Sequence, residues 1–232
     1  MNKMKRILAL IVVIWATTVS YSQIQHINAT AINNRKMQLF GNKKWKSIAA
    51  EIKKYITLEG NAVKYVKVIE MPDKPKEQLF EITKNWADKN FNTPEYIVRS
   101  IDNEDCSVTV QGIINGVADH SGFLNTYEVS LKPMVTIQVK DGKARIIFIM
   151  SQYNVRIEEY GGPYGSDTYK NEIWNIGKCF PFISSMYDGH PATSAKALVM
   201  THICATMYME EIEQGLKNTE YIPKVNGENS DW

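Results

Sequence analysis

Three neighbouring residues, Asp119, His120 and Ser121, are of the types that serve as catalytic acid, base and nucleophile. A hydrolytic relay needs these groups hydrogen-bonded to one another in space, which neighbours in a chain rarely achieve. The three lie close to Gly116 and Gly122 between two predicted strands, so the pattern favours a polar hairpin loop. No GxSxG nucleophile elbow occurs in the chain. The sequence therefore predicts no catalytic residues, and a hydrolase that uses Asp119 and His120 is kept as an alternative.

Two residues of metal-ligating type, His202 and Cys204, are close together near the C-terminal end. They are two positions apart on a predicted helix, about 200° around its axis, so they cannot ligate one ion from the same face. The glycine-rich segment 161–167 lacks the GKS or GKT ending with which a P-loop holds phosphate and magnesium. We therefore expect no metal and no cofactor.

The chain contains three cysteines, Cys106, Cys179 and Cys204, and no CxxC pair. In an exported protein, a disulfide between Cys179 and Cys204 is the natural pairing, because both lie in the C-terminal third of the chain. Buried free thiols are the alternative, since cysteine often packs as a small apolar residue. Spacing alone does not decide between these two states.

Residues 160–190 are rich in glycine, proline and aromatic side chains and show no regular period, which is typical of a long ordered connection. Aromatic faces on such a segment can stack on sugar rings or hold a peptide. The candidate binding residues are Tyr160, Tyr164, Tyr169 and Trp174. The alternative is that these rings pack the connection against the rest of the fold.

The first 22 residues have the pattern of a secretory signal peptide. Three basic residues precede an apolar run at 7–16, and the small residues Ser20 and Ser22 suit cleavage before Gln23. The apolar run is short for a bilayer span. We expect a periplasmic, secreted or cell-surface product with no integral membrane span after cleavage.

Composition and charge exclude several classes of protein. The chain has 232 residues, of which 44% are hydrophobic and 22% charged, as in an ordinary globular protein. Its net charge of +2 depends on the three basic residues of the signal peptide, without which 24 basic residues face 25 acidic ones. Binding to a phosphate backbone requires an excess of positive charge. Nucleic acid is therefore not an expected partner.

The sequence divides into an extension, one domain and a tail. Residues 23–62 form the extension, with a loosely ordered lead-in at 23–42 and an amphipathic helix at 43–56, where apolar residues recur every three or four positions. Residues 63–218 are predicted to form a single α+β domain. Residues 219–232 are polar, which predicts a flexible tail.

The first half of the domain combines one helix with several strands. A predicted strand at 65–70 leads through a proline-containing turn into a helix with Trp86 and Phe91 on its apolar stripe. Strand-like segments at 96–102 and 106–114 follow. The helix is thus followed by a meander of strands.

The most regular pattern lies at 127–140, where every odd position up to 139 except Pro133 is apolar and nearly every even position is polar. This predicts a strand with one buried face, in which Pro133 marks an edge or a bulge. A hairpin turn at 141–142 leads into a strand over 144–157, whose phase changes near Ser151 and so predicts a bulge or break there.

The last predicted element is a helix over residues 194–217. Its apolar positions cover so wide an arc that we expect it to pack across the sheet. The domain then consists of a core at 65–160, an aromatic loop at 160–190 and this C-terminal helix.

The order strand, helix, four-strand antiparallel meander and helix resembles one half of a TATA-binding-protein-like fold. The segment 68–72, the helix with Trp86 and Phe91, and the hairpin 139–145 are similar to a family of uncharacterised exported proteins of Gram-negative gut bacteria, which carry a domain of unknown function with this fold. The resemblance covers about residues 65–160. It implies an α+β fold, an antiparallel sheet with helices packed on one face, to which the N-terminal amphipathic helix is added. It implies no catalytic residues.

These observations favour a non-catalytic binding module that recognises an envelope protein or a glycan. Its contact surface is expected on the open face of the sheet or on the loop at 160–190. A hydrolase and a purely structural accessory that only assembles with a partner are the alternatives.

Overall fold

A computed structural model describes Ile24, residues 27–123, 125–161, 167–179 and 191–219, and Tyr221. The predicted signal peptide at 1–22, most of the tail at 219–232 and much of the loop at 160–190 lie outside these residues. The helices are α1 (Ala29–Phe40), α2 (Trp45–Ile52), α3 (Lys76–Asn90), α4 (Ile176–Cys179) and α5 (Pro191–Asn218), with a 3-10 helix at Lys53–Tyr55. The strands are β1 (Thr57–Glu59), β2 (Ala62–Glu70), β3 (Asn92–Thr93), β4 (Tyr96–Asp102), β5 (Ser107–Gly112), β6 (Ile114–Ser121), β7 (Asn125–Leu131), β8 (Met134–Lys140), β9 (Lys143–Met150), β10 (Gln152–Glu159) and β11 (Thr168–Asn175).

The described strands form two antiparallel sheets. Sheet A has seven strands in the order β1-β2-β9-β8-β5-β4-β3, and sheet B has four in the order β11-β10-β7-β6. Helices α3 and α5 both pack on the inner face, α3 against β4, β5, β8 and β9, and α5 against β2, β6 and β9. The predicted α+β class, with an antiparallel sheet and helices on one face, is confirmed.

Three stretches of chain pass directly from one sheet into the other. The breaks lie at Ile113 between β5 and β6, at residues 132–133 between β7 and β8, and at Ser151 between β9 and β10. The three breaks lie side by side and together form a crease. On one side of the crease Leu131 pairs with Ile114, and on the other side Met134 pairs with Gln111 and Ile149. The crease bends the strands and divides them between two sheets.

This crease corrects the expectation of a single strand over 127–140. The alternation of buried and exposed residues continues through Pro133, but the hydrogen-bonded ladder does not. Proline lacks the N–H that a ladder requires, so the chain changes sheets there. The predicted break near Ser151 is confirmed, and the extra residue explains why the buried positions change from even to odd.

The core lies between the inner faces of both sheets and the helices. The large apolar side chains of sheet A that point inward include Val135, Ile137, Ile146 and Phe148, and those of sheet B include Val129, Leu131, Tyr153 and Val155. Burial of one such side chain contributes about 1.5–3 kcal/mol. The short helix α4 contacts β2, β10 and β11. On the outer faces, side chains such as Val66 and Val68 of sheet A and Ile173 of sheet B are exposed.

Helix α5 is covered on two sides. The sheets lie on one side, and the N-terminal helices α1 and α2 lie on the other. Its residues Val199, Ile203 and Ile212 are completely buried, as are residues on other sides of the same helix such as Ala205 and Cys204. The prediction that this helix packs across the sheet is therefore correct and incomplete, because a second layer of helices completes its burial.

The predicted loose lead-in at 23–42 is wrong, since residues 29–40 form helix α1. The side chain of Asn28 caps this helix by accepting a hydrogen bond from the backbone N–H of Ala31 at 2.9 Å. Only Ile32 and Lys36 are buried within it, so its apolar stripe is too narrow to give a clear period. Arg35 also pairs with Glu210 of α5 at 3.2 Å.

Strand β11 is a second element that the sequence pattern did not predict. It pairs only with β10 and lies at the edge of sheet B, and all but one of its residues are exposed or half-buried. An edge strand with little buried surface shows no alternation of polar and apolar residues. The predicted long connection at 160–190 therefore contains regular structure at Thr168–Asn175.

We predict that Gly215→Ala destabilises the protein. A Cβ at this position of α5 would overlap the indole of Trp86, which is 2% exposed. Alanine favours the helix by about 1 kcal/mol, but the overlap in the core costs more, so the net loss should be about 1–3 kcal/mol in urea unfolding. In a Trp86→Leu background the same substitution should be neutral or stabilising. Equal losses in both backgrounds would contradict this explanation.

Candidate functional site

The outer face of sheet B is polar and concave. Side chains of β7, β10 and β11 alternate along each strand, so the residues between the buried positions meet on this face. A concavity of about 580 Å³ is formed there. Its walls include Asn115, Ser130, Asn154, Arg156, Asn171 and Ile173. A concavity of this size is large enough for a small ligand, and its polar walls offer hydrogen bonds to that ligand.

Three asparagine side chains in this concavity have no hydrogen-bond partner within the described part of the chain. They belong to Asn115 on β6, Asn154 on β10 and Asn171 on β11. Each amide offers two donors and one acceptor oxygen. Because the sheet holds their backbones close together, the three amides are all available to one ligand in the concavity.

Arg156 and Tyr169 form one edge of this surface. The Arg156 guanidinium lies 5.4 Å from the centre of the Tyr169 ring, over its face. The Tyr169 hydroxyl donates to Glu158 Oε1 at 2.6 Å, and this hydrogen bond to a carboxylate raises the pKa of Tyr169. Tyr169 therefore remains a neutral phenol, 61% exposed, whose orientation is fixed by two neighbours.

Tyr160 lies at the same end of the face. Its hydroxyl is 2.5 Å from the Thr126 hydroxyl, and Thr126 is the register partner of Glu158, which holds Tyr169. The structure thus brings two of the four predicted binding residues, Tyr160 and Tyr169, to one end of the outer face of sheet B. Tyr164 lies outside the described residues.

Trp174 does not belong to this surface, which corrects its prediction as a binding residue. It is 1% exposed and points to the inner face of sheet B, where its ring centre is 6.0 Å from that of Tyr127. Its indole N–H donates to Glu172 Oε2 at 3.2 Å. The alternative interpretation, a ring that packs the segment against the fold, is correct for Trp174. The sequence offered no signal to distinguish it from Tyr169.

Cys204 carries a free thiol and is completely buried in α5. Cys204 therefore forms no disulfide, which corrects the suggested pairing with Cys179. The side chain of Cys179 itself lies outside the described part of the structure. Burial raises the pKa of the Cys204 thiol, which keeps it protonated and unreactive. Cys106 is likewise a buried free thiol.

Asp119, His120 and Ser121 form the end of strand β6. The expectation of a hairpin loop at these residues is therefore wrong. Successive side chains of a strand point to opposite faces, so the three groups do not converge. Asp119 forms an ion pair with Lys196 of α5, and the His120 ring packs 6.0 Å from the ring of Tyr127. This geometry provides no acid, base and nucleophile relay.

His202 lies on α5, where its ring packs 5.6 Å from that of Tyr65 on β2. The Tyr65 hydroxyl and His202 Nδ1 are 3.1 Å apart. Burial lowers the pKa of His202 and raises that of Tyr65, so a protonated phenol and a neutral imidazole share this hydrogen bond. The described residues contain no cluster of three or more His, Cys, Asp or Glu suited to a metal ion.

Residues 65–154 match a family model described as a domain of unknown function (DUF4468) with TBP-like fold. The resemblance to this family and the TATA-binding-protein-like fold are thereby confirmed. The match covers α3, most of sheet A, and strands β6 and β7 of sheet B. It leaves out α1, α2, β1, most of β10, β11, α4 and α5. No curated protein matches the chain.

Two solved structures are similar to the chain. One is a DUF4468 family protein from Bacteroides ovatus, 11% identical, with a TM-score of 0.46, covering 72% of this chain and 94% of its own. The other is a TBP-like protein from Parabacteroides distasonis, 12% identical, with a TM-score of 0.44, covering 71% of this chain and 98% of its own.

Among the helices described in the present chain, none combines the length and apolarity that crossing a membrane requires.

We predict that protonation of His202 destabilises the fold. Its folded pKa lies below the unfolded value of about 6.5, so its contribution to stability is complete above that pH and is lost as the pH falls through the folded pKa. Urea unfolding between about pH 8 and about pH 5 should show this loss. His202→Gln should flatten that dependence, whereas His120→Gln should retain it. An unchanged pH profile in His202→Gln would contradict the assignment.

Proposed function

We propose that the chain is a non-catalytic module that binds a glycan on the outer face of sheet B. The observation that carries this proposal is that three unengaged asparagine amides and Arg156 line one concavity. Two exposed tyrosines, Tyr160 and Tyr169, lie beside it at one end of the same face. Amides can pair with adjacent sugar hydroxyls through donor and acceptor at once. A tyrosine ring adds a flat apolar surface for the C–H face of a sugar.

A glycan is favoured over a protein ligand by the scarcity of apolar anchors on this face. Protein interfaces depend on a few large apolar or aromatic groups that become fully desolvated at their centre. Ile173, 64% exposed, is the large aliphatic side chain at the concavity, and it lies on edge strand β11. The centre of the face, at Asn154 and Arg156, is polar.

We predict that this surface retains a glycan on an oligosaccharide array. The array should include neutral hexose chains, N-acetylhexosamine chains and uronic acid chains. For the glycan retained, Asn154→Ala and Asn171→Ala should each weaken binding about tenfold, because each removes one amide that bonds to the ligand. Asn34→Ala, which removes an exposed amide from α1, is the matched control and should bind normally.

Two results would overturn the glycan proposal. One is an array that retains nothing at high protein concentration. The other is retention that Asn154→Ala and Asn171→Ala leave intact. Capture of a protein partner that is lost in both variants would replace the glycan by a protein ligand on the same face. Thermal unfolding of each variant should first establish that it is folded.

We infer also that the chain is exported and that its first 22 residues are removed. The basic start, the apolar run and the small residues Ser20 and Ser22 support this. We predict that the intact mass of protein recovered from the periplasm or culture medium of its host corresponds to residues 23–232. Ser22→Tyr should block cleavage, whereas Ser47→Tyr should not. A wild-type mass that includes the first 22 residues would contradict this inference.

A further inference from the structure

A second concavity lies on the outer face of sheet A, between the β8–β9 hairpin and the turn that joins β4 to β5. Its volume is about 400 Å³. We call it the basic pocket, and the side chains that define it are those of Val68, Asp105, Gln138, Lys140, Lys143 and Arg145. It is separate from the outer face of sheet B, and none of the residues that line the two concavities is shared.

The basic pocket contains three cations that form no ion pair with any described residue. Lys140 and Lys143 are register partners across the hairpin, so two like charges lie directly opposite each other. Such a pair is unfavourable in an antiparallel sheet. Elsewhere in the described structure, lysines such as Lys67 and Lys217 pair with carboxylates. At this hairpin, in contrast, Lys140 and Lys143 lie opposite each other and neither has a carboxylate partner among the described residues.

The third cation, Arg145, is held in place by a neutral partner. Its Nε donates to Gln138 Oε1 at 3.0 Å, and one terminal nitrogen donates to the same oxygen. Glutamine fixes the guanidinium without neutralising it, and the remaining N–H groups are left to bind another acceptor. A preset guanidinium of this kind is suited to the paired oxygens of a carboxylate or a phosphate.

The nearby carboxylates do not cancel this charge. Asp105 lines the pocket, and Glu70 is the register partner of Lys143 on β2, but neither forms an ion pair with the three cations. Asp141 in the hairpin turn accepts a hydrogen bond from the backbone N–H of Lys76 at 2.8 Å, so it is engaged with the start of α3. Among the residues that line the pocket, three cations thus meet one carboxylate, that of Asp105.

An apolar side chain completes the basic pocket. Val68 is the register partner of Arg145 and is 52% exposed. We propose that the basic pocket binds an oxyanion, a carboxylate or a phosphate, and that the ligand's adjoining apolar portion contacts Val68. The anion relieves the repulsion between Lys140 and Lys143 and accepts hydrogen bonds from Arg145.

The proposal is tested by titrating the purified protein separately with inorganic phosphate and with butyrate, at constant ionic strength maintained with sodium chloride. Backbone amide signals of residues 138–145 are followed by two-dimensional NMR. We expect saturable shifts with at least one of the two anions. Arg145→Gln and Lys143→Gln should each weaken that binding tenfold or more.

Arg99→Gln is the matched control. Arg99 donates to Gln111 on the same outer face through Nε and one terminal nitrogen, as Arg145 does to Gln138, but it does not line the basic pocket. Both substitutions remove one charge and one arginine–glutamine pair. The affinity of Arg99→Gln should therefore equal that of the unmodified protein.

Each result of these titrations either supports or overturns the oxyanion proposal. Preference for phosphate identifies a phosphate ligand, and preference for butyrate that Val68→Thr reduces identifies a carboxylate with an apolar chain. Equal losses in Arg145→Gln and Arg99→Gln would reduce the effect to general surface charge and overturn the proposal, as would the absence of saturable shifts with both anions. Asn154→Ala should leave anion binding unchanged, so this test is independent of the glycan proposal.

Discussion

Helix α5 is apolar on nearly every side, and a helix of this kind is stable only when it is covered all round. The inner faces of both sheets cover one side of it, and α1 and α2 cover the other. The crease at residues 113, 132–133 and 151 allows the strands to bend while they remain paired. The positions of the sheets and of the N-terminal helices are therefore set by the burial of a single helix.

This arrangement leaves the outer faces of the sheets available to the ligands proposed above. Because the inner positions of each strand are occupied by the core, the alternate positions are free to carry polar groups without loss of packing. On sheet B these positions hold amides and tyrosines, and on sheet A, at the hairpin end, they hold Lys140, Lys143 and Arg145. The outer faces of sheets A and B thus present different chemical groups.

The sequence predicted those elements whose buried and exposed residues differ strongly. Alternation predicted the strands around 127–140, and the phase change predicted the break at Ser151. Elements with little buried surface, α1 and β11, were missed because their patterns resemble those of a loop. The sheet change at Pro133 was also missed, since alternation reports which side of a strand is buried and not which strand is its neighbour.

For the site, composition singled out Tyr160 and Tyr169, whereas Trp174 has the same aromatic character and belongs to the core. Asn115, Asn154 and Asn171 come from three strands, and only the register of those strands brings them together.

The contact between α1 and α5 also affects the order in which parts of the chain pack during folding. Arg35 of α1 meets Glu210 of α5 across 175 positions of sequence, and α5 is the helix that both α1 and α2 contact most. The packing of α1 and α2 is therefore completed only after the ribosome has synthesised almost the whole chain. Contacts between residues so far apart require the closure of a long loop, which makes them late in folding. The sheets and α3 rely on contacts closer in sequence and can form earlier. We therefore expect the layer formed by α1 and α2 to be completed last, over a core that the sheets and α3 have already built.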